Sequence, residues 1–367
     1  MTIATTMRST RGTINFNAGP APLPKEVLEQ ASHAIVDYNG TGLSILEIPH
    51  RGKHFDTILE ESKALVRELC ALNADQEVLW MHGGGRMQFC MVPMNFLGKE
   101  ETAGFIDSGY WATQAIEYAN FYGNVHVLAS GKENGYQTIP EWPAVPKDLA
   151  YLHITTNNTI FGTQLQNIPY TNVPLVADMS SDILSRKIDY TQFDMFYACA
   201  QKNIGPAGVT LAVVNKKMLQ DKKRDIPPML SYTEHVKKNS VLNTPPVFAI
   251  YTSLLTLRWI KQKGIEQIEQ ENNAKAAMLY DEIERNALFN CTVNKNDRSK
   301  MNVCFHARDK EVEQAFVTYS EAQGIVGIGG HWSAGAFRAS LYNAITIDDV
   351  TQLVATMKDF EQTFAGK

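Results

Sequence analysis

Short apolar runs, separated by segments of helical pattern, make up most of the chain between residues 77 and 214. Several of these runs are apolar almost throughout and do not alternate, which is typical of strands buried on both faces of a mainly parallel sheet. Helical segments between the strands indicate βαβ units, so we predict an α/β/α sandwich. The predicted strands are EVLWMH (77–82), AGFIDS (103–108), NVHVLA (124–129), LAYLHIT (149–155), PLVADM (174–179), MFYACA (195–200) and VTLAVV (209–214).

The pattern changes after NTPP (243–246), where a long helix-like region spans residues 247–288. The strands FNCTVN and MNVCFHA and the helix EVEQAFVTYSEAQG follow, and a glycine-rich turn comes after them. This mixture of short strands and helices predicts a second, smaller α+β domain. We therefore expect a polar tail at 1–14, a large domain at 15–255 and a small C-terminal domain at 256–367.

The last helix has the clearest pattern, because its apolar positions fall on one face at helical spacing. Thr346 and Asp349 stand where a capping box would begin this helix. The apolar positions are Val350, Leu353, Val354, Met357, Phe360 and Phe364.

Composition and charge exclude several classes of protein. Of the 367 residues 44% are apolar and 20% are charged, and the net charge of -5 is spread without a long basic or acidic run. Nucleic-acid binders cluster their lysines and arginines, so nucleic acid is not an expected partner. A membrane span needs about 20 consecutive apolar residues, and no run in the sequence approaches this length. The start of the chain, MTIATTMRSTRG, lacks the apolar region of a secretory signal and predicts a polar tail.

Cysteine usage bears on the cellular compartment. The cysteines are odd in number, lie mostly in apolar runs and show no CxxC spacing. This pattern predicts buried, reduced thiols in a cytoplasmic protein, and it indicates no metal site. The five residues are Cys70, Cys90, Cys199, Cys291 and Cys304.

Four polar features follow strand ends, and in open α/β sheets ligands bind at the carboxyl ends of the strands. Asp178 ends PLVAD, and Lys202 follows MFYACAQ. The segment HGGGR (82–86) follows EVLWM, and Trp111 follows the strand that ends at Asp107. Each feature alone has an ordinary structural explanation: a turn cap, a surface lysine, a tight turn and a core tryptophan. Together they indicate one ligand pocket.

The glycines of HGGGR allow backbone N–H groups to point at an anion near a helix N-terminus, and Arg86 adds a charged fork. The spacing is neither GxGxxG nor GxxxxGK[ST], which disfavours a dinucleotide site and a P-loop. The second glycine cluster, GIVGIGGHW (324–332), fails the GxGxxG spacing as well. We therefore interpret HGGGR as a candidate phosphate cradle, with a tight strand-to-helix turn as the alternative.

Lys202 is the candidate nucleophile. A lysine desolvated by apolar neighbours has a lowered pKa, and its neutral amine can attack an aldehyde. Gly205 and Gly208 would let the backbone after it approach a ligand closely. A buried carboxylate at Asp178 needs a cationic partner, which a protonated pyridine nitrogen supplies, and Trp111 offers a flat face to a planar ring. These parts match the requirements of pyridoxal phosphate.

At this point the sequence resembles the phosphoserine aminotransferases, fold-type-I enzymes that depend on pyridoxal 5'-phosphate. The likeness runs from NFNAGPAPLP (15–24) to the C-terminal helix, and it implies a large α/β/α domain with a mainly parallel sheet and a smaller α+β C-terminal domain. The motifs that carry it are PHRGK (49–53), HGGGRMQF (82–89), VADMSS (176–181), AQKNIGPAG (200–208), NTPP (243–246) and RASLYNA (338–344).

The resemblance implies a role for each cofactor-binding residue. Lys202 would hold the cofactor covalently with Gln201 beside it, and Asp178 would pair with the pyridinium nitrogen. Trp111 would stack on the ring, and Thr159 in TTNNTIFG would bond to the cofactor.

The cofactor phosphate would be held by Gly85 and Arg86, and by Asn243 and Thr244 from a second subunit. Sites shared in this way imply a homodimer.

The resemblance also implies the substrate site and the reaction. Arg338 would clamp the substrate α-carboxylate, a bidentate task that suits arginine. His50 and Arg51 of the partner subunit would join His331 around the substrate phosphate. Glutamate would give its amino group to 3-phosphohydroxypyruvate, yielding 2-oxoglutarate and O-phosphoserine on the route to serine.

One departure from the family pattern leaves an alternative open. The family usually carries His-Arg in the glycine-rich turn, whereas this chain has His331-Trp332, and Gly335-Ala336 replaces the usual Gly-Gly. The alternative is a pyridoxal-phosphate aminotransferase for a related small oxoacid, with altered recognition of its distal group. A second alternative, of another class, is an α/β scaffold that binds an anion or a partner without catalysis.

Overall fold

A computed structural model describes residues 12–330 and 337–365 of the chain. Its helices are α1 (Lys25–Val36), α2 (Lys53–Leu69), α3 (Gly84–Phe96), α4 (Tyr110–Ala119), α5 (Tyr232–Lys237), α6 (Val247–Lys263), α7 (Ile265–Arg285), α8 (Lys310–Ala322) and α9 (Ile347–Ala365). Its strands are β1 (Ile14–Asn15), β2 (Gln76–Met81), β3 (Thr102–Asp107), β4 (Asn124–Ser130), β5 (Tyr151–Thr155), β6 (Leu175–Asp178), β7 (Met195–Cys199), β8 (Thr210–Asn215), β9 (Phe289–Asn290), β10 (Asn302–Ala307), β11 (Ile325–Val326) and β12 (Phe337–Ser340).

The main sheet has seven strands in the order β2-β8-β7-β6-β5-β3-β4. β8 runs antiparallel to both of its neighbours, whereas the other neighbouring strands run parallel. Each strand predicted from an apolar run between residues 77 and 214 is present, with bounds that differ by at most two residues. The predicted mainly parallel sheet is therefore confirmed.

The central strands are buried on both faces, which explains why their sequences do not alternate. Every residue of β5, β6 and β7 is buried. Leu152 and Ile154 of β5 belong to the core beneath α2 and α6, and Tyr151 of the same strand packs on the opposite face with residues of α3 and α4. Helices thus cover both faces, as in the predicted α/β/α sandwich.

The C-terminal part differs in detail from the prediction. The helical region 247–288 is two helices, α6 and α7, because Gly264 between them adopts a φ of +84°. The strand predicted over FNCTVN is reduced to Phe289–Asn290, while β10 pairs antiparallel with β9 and β12. The capping box of α9 is confirmed, since the Thr346 N–H donates to Asp349 Oδ2 at 2.9 Å and the Asp349 N–H donates to Thr346 Oγ1 at 3.1 Å.

A second hydrophobic core lies around β10, β12, α8 and α9, and it includes Ile14 and Phe16 from the start of the chain. Ile260 of α6 packs in the first core, with the sheet. The exact division at residues 255 and 256 stays a prediction. Among the described residues, no helix combines the length and the apolar character needed to cross a bilayer, and no group of three potential metal ligands occurs.

Candidate active site

The loop that connects β7 to β8 carries Lys202 at the carboxyl end of the sheet. The Lys202 side chain is half-buried, and its Nζ donates to Thr159 Oγ1 at 3.0 Å. Gly19 lies behind it, because a Cβ at this glycine would be 3.6 Å from Lys202 Cγ. The backbone N–H of Ala21 donates to the Gln201 carbonyl at 2.8 Å. Two loops therefore hold the lysine stem and leave the amine against a threonine hydroxyl.

The carboxylate of Asp178 ends β6 and is 6% exposed. Burial raises its pKa above the ordinary value, while the charge of Lys202 and hydrogen bonding by Ser180 oppose that rise. The Ser180 N–H donates to Asp178 Oδ1 at 2.9 Å. Among the described residues Asp178 has no ion-pair partner within 4.0 Å, so a cation bound beside it would stabilise its ionised form.

The glycine loop after β2 has the conformation expected of an anion cradle. Gly83 and Gly84 have φ values of +95° and +72°, in the left-handed region that favours glycine. α3 begins at Gly84 without an acidic residue in its first turn or a side-chain cap, so its N-terminal dipole is uncompensated within the helix. A Cβ on Gly85 would lie 3.3 Å from Cys199 Sγ, which places this loop beside the end of β7.

Arg86 and Trp111 meet between α3 and α4. The Arg86 guanidinium lies over the Trp111 ring at 5.6 Å from its centroid, and its Nη1 donates to Gln114 Oε1 at 2.7 Å. Trp111 Nε1 is buried without a hydrogen-bond acceptor in the described part of the chain. Trp111 thus packs at the margin of the core on this face of the sheet, beside Arg86, and its indole donor is left unused.

Arg338 on β12 approaches the same site from the second core. Its Nη1 donates to the backbone carbonyl of Thr159 at 3.2 Å, and its Nε is buried without an acceptor among the described residues. Thr159 thus contacts Lys202 through its hydroxyl and Arg338 through its carbonyl. The geometry brings together an amine and a guanidinium that retains an unused donor.

Four other predicted residues lie in two loops, one between α1 and α2 and one before α6. His50 is half-buried and Arg51 is exposed, both in the loop between α1 and α2. Asn243 and Thr244 are exposed before α6, where the Thr244 carbonyl lies 3.2 Å from His82 Nε2. The hydrogen bonds of the described residues do not connect these four to Lys202. His331, Trp332, Gly335 and Ala336 lie outside the described residues.

Two residues that border the site, Ser180 and Cys199, are not among the predicted site residues. The structure also explains Gly205 differently from the sequence prediction. The Ser180 N–H donates to Asp178, and the short spacing of the two residues in VADMSS could have indicated this bond. Cys199 lies against Gly85, and it is on the same strand face as Tyr197. Gly205 packs against α6 rather than facing a ligand, since a Cβ there would lie 2.1 Å from Ser253 Oγ.

Comparisons with known proteins agree with this architecture. A family model described as aminotransferase class-V matches residues 13–353. Phosphoserine aminotransferase of Flavobacterium johnsoniae is 49% identical over 349 residues, covering 95% of this chain and 98% of the relative, and that of Bacillus subtilis is 46% identical with the same coverage. The chain therefore belongs to the phosphoserine aminotransferase family of the class-V aminotransferases.

Solved structures give the same result. The phosphoserine aminotransferase of Bacillus circulans subsp. alkalophilus superposes with a TM-score of 0.94 at 42% identity, covering 96% of this chain and 99% of that one. A pyridoxal-phosphate-bound phosphoserine aminotransferase from Trichomonas vaginalis has a TM-score of 0.90 at 32% identity, covering 94% and 99%. The predicted fold class is confirmed, and family membership makes the chain an aminotransferase rather than a non-catalytic scaffold.

Proposed function

We propose that the chain transfers the amino group of glutamate to 3-phosphohydroxypyruvate, with pyridoxal 5'-phosphate as its cofactor, and so yields 2-oxoglutarate and O-phosphoserine for serine biosynthesis. The observation that carries the proposal is the meeting of three groups at one sheet edge. Lys202 and Arg338 contact the same residue, Thr159. The charge of Lys202 acts on the buried Asp178 carboxylate and opposes the rise of its pKa.

The described residues fit this cofactor. Asp178 is a buried carboxylate without an ion-pair partner, Gly84 would meet no atom within 4 Å if it carried a Cβ, and Trp111 Nε1 is a buried donor without an acceptor. A ligand that brings a cationic ring nitrogen and an anionic phosphate supplies what these groups lack. The residues we assign to it are Gly85, Arg86, Trp111, Thr159, Asp178, Gln201 and Lys202, with Asn243 and Thr244 of the partner subunit.

When bound, the cofactor supplies a ring that takes up the electrons left when the substrate α-proton departs. Asp178 stabilises positive charge on the ring nitrogen, because a carboxylate in this buried position ionises readily only opposite a cation. The hydroxyl of Thr159 fixes Lys202 Nζ, so the amine stands ready to accept the α-proton and to return it elsewhere. Arg338 orients the substrate by its α-carboxylate.

We further propose a homodimer in which each subunit completes the other's site. Arg51, Asn243 and Thr244 are exposed, and no hydrogen bond among the described residues joins them to Lys202 of their own chain. Large apolar side chains shortly before Arg51 are exposed as well: Leu46 is 64% exposed and Leu43 is 43% exposed. Exposed apolar groups shortly before His50 and Arg51 support an interface at this loop, where His50 and Arg51 of the partner subunit would join His331 around the distal phosphate of the substrate. Sedimentation analysis tests this part, and a monomer that retains full activity would contradict it.

We also propose a cytoplasmic location, supported by the thiols. None of the five cysteines forms a disulfide, and Cys70, Cys199 and Cys304 are buried. The reducing cytoplasm keeps such thiols free.

Spectroscopy on the purified protein tests the proposed reaction. The visible absorbance of the bound cofactor should fall when glutamate is added and return when 3-phosphohydroxypyruvate follows. Lys202→Ala is the control, because it removes the amine and should abolish both changes. Recovery with an unphosphorylated or sulfonated analogue but not with 3-phosphohydroxypyruvate would favour the related-oxoacid alternative. No feature of the described residues supports that alternative, and Trp332 lies outside them.

A further inference from the structure

A buried hydrogen-bond network joins the β9–β10–β12 sheet to the loops of the site. We name it the Asn302 network, and its members are Asn157, Ser181, Ser299, Asn302, Ser340 and Tyr342. Asn302 on β10 is 0% exposed, and its Oδ1 accepts a hydrogen bond from Asn157 Nδ2 at 2.7 Å. Asn302 Nδ2 donates to Ser340 Oγ at 3.0 Å and to Tyr342 Oη at 3.3 Å. Both ends of this amide are therefore engaged.

The second amide of the network is engaged in the same way. Asn157 Nδ2 also donates to Ser181 Oγ at 2.8 Å, and Asn157 Oδ1 accepts from Ser299 Oγ at 2.5 Å. Because a buried donor or acceptor without a partner is costly, the two amides fix each other's orientation.

Four arms of the network end in segments that carry, or lie against, a proposed site residue. Two arms lie within three residues of the cofactor pocket, one lies on the strand of the substrate arginine, and one reaches the loop behind the lysine. The first three pairs are Asn157 with Thr159, Ser181 with Asp178, and Ser340 with Arg338. In the fourth arm, Tyr342 Oη donates to the Ala18 carbonyl at 2.9 Å, and the next residue, Gly19, lies against Lys202.

Arg338 depends on this frame for its position. In the described residues its guanidinium has one protein acceptor, the Thr159 carbonyl, so its side chain alone does not fix the fork. The backbone of β12 carries it, and β12 is registered on β10 by the pairing of Asn302 with Ser340. A bidentate clamp must be held within about 0.5 Å of its productive geometry, and the Asn302–Asn157 contact links its strand to the loop of Thr159.

We propose that Asn302 is a positioning residue that sets the place of Arg338 relative to Lys202, and through it the affinity for the substrate α-carboxylate. This inference rests on the proposed function. Asn302 itself touches neither substrate nor cofactor; it acts through β12 and the loop of Thr159.

Asn302→Leu tests the proposal in the cofactor-loaded enzyme. The change removes the bridge between the two amides and leaves Asn157 without one acceptor. A displacement of about 1 Å at a positioning contact costs about a hundredfold, so we expect KM for glutamate to rise about 10- to 100-fold, with a smaller fall in kcat. The dissociation constant of maleate, a dicarboxylate that carries no amino group to transfer, should rise by the same factor as KM. Cofactor affinity, measured by equilibrium dialysis, should change less than about threefold, because Asp178 and the glycine loop stay in place.

The isosteric Asn302→Asp gives the conservative comparison. Its carboxyl oxygens still accept from Asn157, so its KM should lie between those of the wild type and Asn302→Leu.

Asn286→Leu is the matched control, because Asn286 is also buried but bonds to Glu282 Oε1 at 2.9 Å and the Met357 carbonyl at 3.3 Å, away from the site. It should lower the thermal midpoint without changing KM. If Asn302→Leu does not fold, Ser340→Ala removes only one acceptor and should raise KM about fivefold.

The proposal fails if Asn302→Leu, or Ser340→Ala in its place, leaves KM and maleate affinity at the level of Asn286→Leu. It also fails if cofactor affinity falls by the same factor as maleate affinity, since the network would then support the cofactor loops alone. A wild-type enzyme that does not transaminate glutamate would instead overturn the proposed function, so the two failures are distinguishable.

Discussion

Gly205→Ala probes how tightly the lysine loop is seated on its neighbouring helix. Gly205 follows Lys202 by three residues, and a Cβ there would lie 2.1 Å from Ser253 Oγ, 3.1 Å from Ser253 Cβ and 3.2 Å from Ser253 Cα. Removal of the serine hydroxyl would relieve only the first of these contacts. The other two involve the body of α6, which is packed in the first core. The loop or the helix must therefore move.

The size of the movement follows from these distances. Ordinary carbon–carbon contacts lie at about 3.5–4.0 Å, so the loop must retreat by at least about 0.4 Å. Overpacking of this kind costs about 1–3 kcal/mol of stability. The hydrogen bond from Lys202 Nζ to Thr159 Oγ1 measures 3.0 Å, and the same retreat would bring it close to the limit of hydrogen bonding. Loss of about 1 kcal/mol there corresponds to about a fivefold fall in rate.

Thermal unfolding and steady-state transamination by the cofactor-loaded variants measure the two effects. Ser253→Ala alone should be nearly neutral, because the buried Ser253 Oγ has no hydrogen-bond partner among the described residues. The double variant Gly205→Ala/Ser253→Ala should recover part of the lost midpoint, since the hydroxyl clash is gone while the contact with the helix backbone remains. Additive effects of the two changes, or a Gly205→Ala enzyme with unchanged midpoint and rate, would refute the reasoning.

Two further predictions concern single cations. Arg338→Lys should raise KM for glutamate about 10- to 100-fold at nearly unchanged cofactor affinity. Lysine cannot reproduce a charge-assisted bidentate contact, which is worth about 1.5–3 kcal/mol. An unchanged KM in initial-rate assays would contradict the assignment. Lys275→Met should lower the unfolding midpoint, because the buried Lys275 Nζ lies within hydrogen-bond distance, 2.8–3.1 Å, of three backbone carbonyls of residues 341–345 and methionine has no donor for them. Burial lowers the pKa of Lys275 to about 7 from its ordinary 10.5. Between these two pH values the unfolded chain binds one more proton than the folded chain. The stability of the wild type, relative to Lys275→Met, should therefore rise with pH across this window. A difference between the two proteins that stays flat from pH 7 to 10 would show that the three carbonyls keep the amine protonated.

Much of the architecture could be predicted from the sequence because burial leaves a local signature. Strands covered on both faces consist of continuous apolar runs, and the polar residue that ends such a run marks the sheet edge. Asp178 ends such a run, and Lys202 and Trp111 follow the ends of such runs within four residues. Thr159, Arg338 and the residues assigned to the partner subunit came only from the resemblance to the family, since no local pattern distinguishes them.

Features that depend on contacts between distant segments could not be predicted in this way. Asn302 and Asn157 are 145 residues apart, and an asparagine in a strand carries no mark of its partner. The contact that leaves no room for a Cβ at Gly205 likewise comes from α6, about fifty residues later. The break at Gly264 was missed because one glycine is tolerated within a helical pattern, and only its positive φ separates α6 from α7.

The reversed direction of β8 has a consequence for Lys202, the proposed nucleophile. The Ala200 N–H donates to the Val209 carbonyl at 3.1 Å, so the segment that holds Lys202 is a short hairpin connection tied at its base. A parallel return would require a crossover of a dozen or more residues, with correspondingly greater freedom. Folding of the sheet thus fixes the segment of Lys202, the proposed nucleophile, before any small molecule binds, and a longer connection would give the amine more freedom.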